Sequence, residues 1–278
     1  MAQESLNVLL DPTGKMLLAE AYKGVIENVQ RGAVSMALKN TDLSGDADAG
    51  TLIAKRFMNA SPKDYGTART AGNGDYVKGK DVPILINVDK EIVEEVENKD
   101  VKLIGVDGFI AKRAQNHARR MIADLDTAFF DCARQKGTAF TPDTASDTPA
   151  KEIDEAVTTL SMLSNDYIDG IDTDLIDIVC SPAYYSQVRQ YVDTVNSQTN
   201  VQDKDIRMFH GVRIHESNRL GTNVDFEVML NGAIAQPLIS SEYTPEKINL
   251  SDAYAIELFY SYGTKAVVPE AILVKTHA

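Results

Sequence analysis

An α+β fold is predicted for this chain of 278 residues, on three observations. One long amphipathic helix opens at Asp107 and stops at Gly137. Two strand patterns, Thr51 to Met58 and Val82 to Val88, flank more than 20 polar residues. Strand and helix patterns then alternate between residues 150 and 255.

Residues Gly14 to Leu38 carry Leu18, Tyr22, Val25, Val29, Ala33 and Met36 along one helical stripe. Gly24 and Gly32 each weaken that helix by about 1 kcal/mol relative to alanine, so it must be supported by packing. The run from Asn40 to Gly50 (NTDLSGDADAG) reads as polar and flexible. The segment between the two flanking strands, NASPKDYGTARTAGNGDYVKGKD, is rich in glycine and lysine and almost free of aliphatic residues. Compact domains rarely hold so long a loop, so it reads as a two-stranded arm reaching away from its own core. Ile92 to Leu103 reads as extended.

In the long helix, Phe109, Ile110, Ala114, His117, Ala118, Met121, Ile122, Leu125, Phe129 and Cys132 share one face. Lys112, Arg113, Arg119, Arg120 and Arg134 line the others. At ~1.5 Å per residue it spans on the order of 40 Å, as a structural beam would. Thr138 to Pro149 reads as a hinge. Beyond it come a helix from Ile153 to Leu163, a buried strand from Leu175 to Val179, and a helix opened by Ser181 and Pro182. Gly211 to Glu216 and Phe226 to Leu230 alternate as strands, and Tyr254 to Tyr262 and Ala266 to Val274 close the chain around Gly263.

Hydrophobic residues at 44% and charged residues at 25% indicate a globular protein rather than a disordered one. The formal net charge of −13 argues against a protein that grips nucleic acid by neutralising phosphates. Cys132 and Cys180 form no CxxC pair, so they read as reduced, half-buried thiols. The amino terminus MAQESL lacks the pattern of a secretion signal, and no apolar run approaches the ~20 residues of a membrane span.

Several motifs imitate chemistry and fail on inspection. Gly74 to Lys80 matches part of a phosphate-binding loop, but Asp81 stands where serine or threonine should hold magnesium. Val82-Pro83-Ile84 then follows instead of a helix. His210 and His215 lie on opposite faces of a strand pattern, and His117 reads as a satisfied core histidine. Asp166, Asp169, Asp172, Asp174 and Asp177 lack the spacing of a calcium loop and read as a solvated acidic rim. No catalytic, cofactor-binding or metal site is expected, so an enzyme is not expected.

The order of these parts resembles the major capsid protein of tailed bacteriophages, the Hong Kong 97-type fold. The likeness is carried by the run NVDKEIVEEVENKDVKL from Asn87, the helix GFIAKRAQNHARRMIADLDTAFF with its Asp124-Leu125-Asp126, and Asp177 to Tyr185 (DIVCSPAYY). Gly211 to Asn218 (GVRIHESN) and Ser261 to Ile272 (SYGTKAVVPEAI) carry the rest. The resemblance implies an N-terminal arm (1–50), an extended β-hairpin loop (51–88), a peripheral domain with a spine helix (89–148 and 256–278) and an α/β axial domain (149–255).

Assembly into pentamers and hexamers of a head enclosing double-stranded DNA would follow. So would a virion location after assembly in the host cytoplasm. The implied partners are the chain itself, a separate scaffolding protein, a portal, a decoration protein, and packaged DNA by non-specific proximity, with no membrane. Inter-subunit contacts are expected at the hairpin through Lys63, Tyr65, Arg69, Tyr76, Lys78 and Lys80, a basic tip on an acidic protein. The alternatives are an encapsulin-like compartment shell, a sheet-rich tail-tube protein, which the long helix argues against, and a cytosolic hydrolase using His210 or His215.

Overall fold

The computed structural model describes residues 6–67, 75, 79–102, 105–143, 148–195, 207–209, 211–249 and 251–277. Two sheet layers share one long helix, Gly105–Lys136. It begins two residues before the expected Asp107, which lies in its first turn, where a carboxylate meets the positive end of the helix dipole. At ~1.5 Å per residue its 32 residues reach roughly 48 Å.

The first layer is built on two ten-residue antiparallel strands, Val88–Glu97 and Ala253–Tyr262, paired along their whole length. Leu238–Ser240 and Thr244–Lys247 pair with the far edge of Ala253–Tyr262. Alternation sends Val96, Ile256, Leu258 and Tyr260 inward against Ile110, Met121 and Leu125 of the long helix. The expected extension to Leu103 is cut short: the strand ends at Glu97, and Asn98–Val101 forms a helical turn in which the Glu97 backbone N–H donates to Asp100.

The N-terminal helix, Pro12–Gly32, has proline in its first turn and packs on the same layer. Leu18, Val25 and Val29 of the expected stripe are buried, and the Tyr22 hydroxyl meets Ser240 Oγ at 2.8 Å. The packing that supports its glycines therefore comes from its own chain. After a break at Ala33, the short helix Val34–Leu38 is capped by Asp126 of the long helix, whose Oδ1 accepts from the Ser35 N–H at 2.9 Å. Burial pushes the Asp126 carboxyl up, against the opposing effect of those hydrogen bonds. The Asp124-Leu125-Asp126 pattern thus ties three parts together, because the Tyr260 hydroxyl donates to Asp124 at 3.1 Å.

The second layer is a six-stranded sheet, ordered Thr138–Ala139, Ile272–Thr276, Val224–Leu230, Ile176–Cys180, Val212–Glu216, Met208–Phe209. Helices Pro149–Ser161 and Pro182–Val195 cover one face, through Ile153, Leu160, Tyr184 and Val188 against Ile178, Phe226 and Val228. The far end of the long helix covers the other, through Phe129, Phe130 and Ala133 against Val179, Met229 and Ile272. Ile176–Cys180, sandwiched between them, is buried along its whole length. Gly137 lets the chain turn against Ile272, since a Cβ there would lie 2.7 Å from both Ile272 Cγ2 and the Ala133 carbonyl.

Two segments depart from expectation. Ala266 to Val274 is not one strand: Lys265–Ala266 pairs with Ile234–Ala235, a turn at Pro269–Ala271 intervenes, and Ile272–Thr276 joins the second layer. The end of the chain, grouped with 89–148 by resemblance, therefore lies with Val224–Leu230, because proline at 269 breaks the run. Asn40 to Gly50 is ordered, with Ser44–Asp46 pairing with Thr51 to Ile53 across a turn closed by Gly50.

Candidate assembly surfaces

Thr51–Phe57 and Gly79–Leu85 form the expected hairpin, and Ser44–Asp46 widens it to three strands. Its base does not project freely. Ala54, Val82 and Ile84 are buried against Ala235 and Val267. Gly263 admits the returning strand, since a Cβ there would sit 1.9 Å from the Leu85 carbonyl oxygen. Arg56, whose side chain is 9% exposed, pairs with Glu270 and donates to the Val267 carbonyl at 3.2 Å. Its guanidinium also lies 4.5 Å from the Tyr167 ring centroid. The Asn59 N–H donates to the Asp166 carbonyl at 2.9 Å. The hairpin base is thus held along its own lobe as far as residue 59. The reason is that Arg56 and the apolar residues at 54, 82 and 84 find partners more than 100 positions away.

Of the expected contact residues, Lys63, Tyr65 and Lys80 are described; Arg69, Tyr76 and Lys78 lie outside the described residues, as does His210. Lys63 Nζ sits 2.9 Å from Asp75 Oδ1 across the hairpin. That hydrogen bond, with one from the Ser61 N–H, holds the Asp75 carboxyl below its ordinary value. Tyr65 is 90% exposed and Lys80 is exposed. Phe57 and Leu85 are also exposed on the hairpin, as are Met162 and Leu175 beside the acidic segment.

The acidic segment divides. Asp166, Asp169, Asp172 and Asp174 are exposed, as a solvated rim requires, but Asp177 is fully buried. It accepts from Arg213 at 2.9 Å and from Asn231 at 3.2 Å, with His215 Nε2 at 3.2 Å. Its place inside the strand Ile176–Cys180 removes it from the rim. His117 is a core histidine, as expected, but only Nδ1 has a hydrogen-bond partner, the Tyr243 hydroxyl at 2.7 Å; Nε2 lies 3.1 Å from Glu94 Oε2 without hydrogen-bond geometry. Burial holds its imidazolium form down, pushing the pKa below the ordinary histidine value. Burial also pushes Glu94 up, but Arg113 and His117 outweigh it and hold that carboxyl below its usual range. Gly79 and Lys80, the last two residues of the phosphate-loop match, open a strand and not a helix.

Sequence reasoning missed a separation of charge across the first layer. The outward positions of Val88–Glu97 are Asp89, Glu91, Val93, Glu95 and Glu97, all exposed, and Glu257 and Glu246 lie on the same face of the adjoining strands. On the opposite side, the solvent face of the long helix carries Lys112, Arg119 and Arg120, all exposed. The signal was present as acids at every second position from 89 to 97, valine at 93 excepted.

This arrangement recurs in solved structures. A structure from Mycobacterium phage Che8 is similar at TM-score 0.60 and 21% identity, over 81% of this chain and 84% of that one. The capsid of the cyanophage P-SCSP1u is similar at TM-score 0.63 and 14% identity, over 89% of this chain and 88% of that one. The chain has the Hong Kong 97-type capsid fold. A virus-like particle from Pyrococcus furiosus also shares the capsid fold, at TM-score 0.55 and 15% identity over 93% and 97% of the two chains. No family model matches the chain, and no curated protein matches it. Within the capsid fold, the long helix is the beam common to both sheet layers, and the hairpin base is clamped where the layers meet.

Proposed function

We propose that the chain is the major capsid protein of a tailed bacteriophage, self-assembling into pentamers and hexamers of a head that encloses double-stranded DNA. The observation that carries this reading is the fold, shared with the P-SCSP1u capsid over nearly the full length of both chains. The exposed apolar residues of the hairpin and the acidic rim support it, because assembly would cover both. In the proposed division, residues 1–50 form an arm and 51–88 the extended loop. The four-stranded layer is the peripheral domain and the six-stranded layer the axial one. A separate scaffolding protein, a portal and a decoration protein are the proposed partners, and the chain acts as a structural protein of the virion.

Negative-stain imaging of the expressed protein tests this. Closed shells are expected, and a monodisperse monomer at every concentration overturns it. Within the same reading, glutamates at Arg69, Lys78 and Lys80 should abolish closed shells while circular dichroism still reports the wild-type fold. Unaltered assembly would remove the hairpin tip from the interface.

The likeness to the Pyrococcus furiosus virus-like particle favours a second reading, a protein-compartment shell without a genome. The contents of purified particles decide between them: DNA supports the phage head, and a cargo enzyme supports the compartment.

A further inference from the structure

A cationic track follows the solvent face of the long helix. Arg119 lies in a groove with Arg219 of the loop after Val212–Glu216. Arg219 also lines the adjoining groove, which holds Arg134. Lys112, two turns before Arg119, extends the line. All four side chains are exposed, and among the described residues no ion pair joins Lys112, Arg119 or Arg219 to a carboxylate. Three acids line these grooves: Asp126 caps Val34–Leu38 and feels Arg219 electrostatically, Asp131 pairs with Arg134 at 2.9 Å, and Glu216 is the third. The opposite side of the layer presents Asp89, Glu91, Glu95, Glu97 and Glu257.

We propose that this track is the surface through which the chain meets the phosphate backbone of duplex DNA, with the acidic sheet face turned away from it. The inference rests on the shell reading and deepens it by assigning the inner face. From Lys112 to Arg134 is 22 residues, roughly 33 Å along the helix. That is close to one turn of B-form DNA, ~34 Å, so a duplex alongside the helix can offer phosphates at both ends of the track. Such binding needs no base edge and is therefore independent of sequence. Net charge concealed it, because a −13 chain can still hold its cations on one face. Weak attraction suffices where DNA is confined at high concentration inside a container, and it allows the genome to slide during packaging.

The test uses the full-length chain kept below its assembly concentration and a fluorescent 30-base-pair duplex, read by anisotropy across a salt series. Lys112→Glu, Arg119→Glu and Arg219→Glu combined should lower affinity at least tenfold. The corresponding three-fold glutamine variant, kept in case the glutamates impair folding, should flatten the salt dependence by about 2–3 in log–log slope, at ~0.9 for each phosphate no longer neutralised. Glu91→Gln with Glu95→Gln, a sheet thickness away, should change affinity less than twofold at 0.1 M salt, where screening acts over ~10 Å. Equal binding by wild type and the glutamine variant, or an equal response to the sheet-face variant, overturns the track. Those outcomes leave the shell reading standing if negative stain still shows closed particles. Absence of shells from the wild type overturns the shell reading and the inner-face assignment with it.

Discussion

Arg56→Ala is expected to cost about 3 kcal/mol of folding stability, toward the lower end of the ~3–5 kcal/mol for breaking a buried ion pair. Arg56 is nearly buried, and its removal leaves Glu270 with only the weaker, unbonded influence of Lys80 as countercharge. Glu270 keeps 30% of its side chain exposed, so water recovers part of the loss. The stacking on Tyr167 and the bond to the Val267 carbonyl disappear as well. Burial alone would push the Glu270 carboxyl up, but Arg56 outweighs it and holds the group below its ordinary value. A depressed carboxyl contributes stability above its unfolded value and loses it as pH falls through the folded one. The gap between wild type and Arg56→Ala should therefore be full at neutral pH and shrink in acid below about pH 4. Chemical denaturation at several pH values measures it; a gap independent of pH would show that stacking and packing, not the ion pair, hold the hairpin. Under the proposed shell reading, shell yield should fall in parallel, because the hairpin base would no longer be clamped along the lobe.

Glu227→Met is expected to stabilise the chain, and by more as pH rises. Glu227 is fully buried in Val224–Leu230 between Val179 and Val274 of the neighbouring strands, and among the described residues neither carboxyl oxygen has a hydrogen-bond partner. Burial pushes its pKa well above the ordinary value, with Arg134 drawing it down and Asp131 up. Above the unfolded value of ~4.3 the unfolded chain has released this proton while the folded chain retains it. Folded stability therefore falls as pH rises from there toward the folded value. Each pH unit in that window costs ~1.4 kcal/mol, so the gain from Glu227→Met should be larger at pH 7 than at pH 4. Methionine is unbranched and of similar size, so it fills the space without a new polar group. Thermal denaturation of both proteins from pH 4 to 8 decides it. Parallel stability curves would mean that the carboxyl already has a partner.

How far the amino-acid pattern reached is clearest at individual residues. The long helix was found to within two residues, because about 30 positions of 3.6-residue periodicity are a purely local signal. His117 was placed in the core by its position on that stripe, but nothing local names Tyr243, 126 positions away, as the group it meets. The five aspartates from 166 to 177 look alike as spacing. Four are exposed and the fifth is buried, because strand Ile176–Cys180 is covered on both faces. Lys112 and Arg119 could be placed on one helical face, whereas Arg219 joins them only once the loop after Val212–Glu216 folds against the helix.

Periodicity and turn chemistry alone settled the long helix, the N-terminal helix and the hairpin strands, and the order of parts that resembles a capsid subunit. Long-range packing settled the rest: that the hairpin base is clamped by Glu270, that Asp126 caps the arm, that the closing strand crosses into the second layer, and that acids and cations face opposite ways. Alternation says which side chains share a face, since each needs only its own backbone geometry. Whether that face meets water, a helix or a countercharge depends on segments brought together from distant parts of the chain.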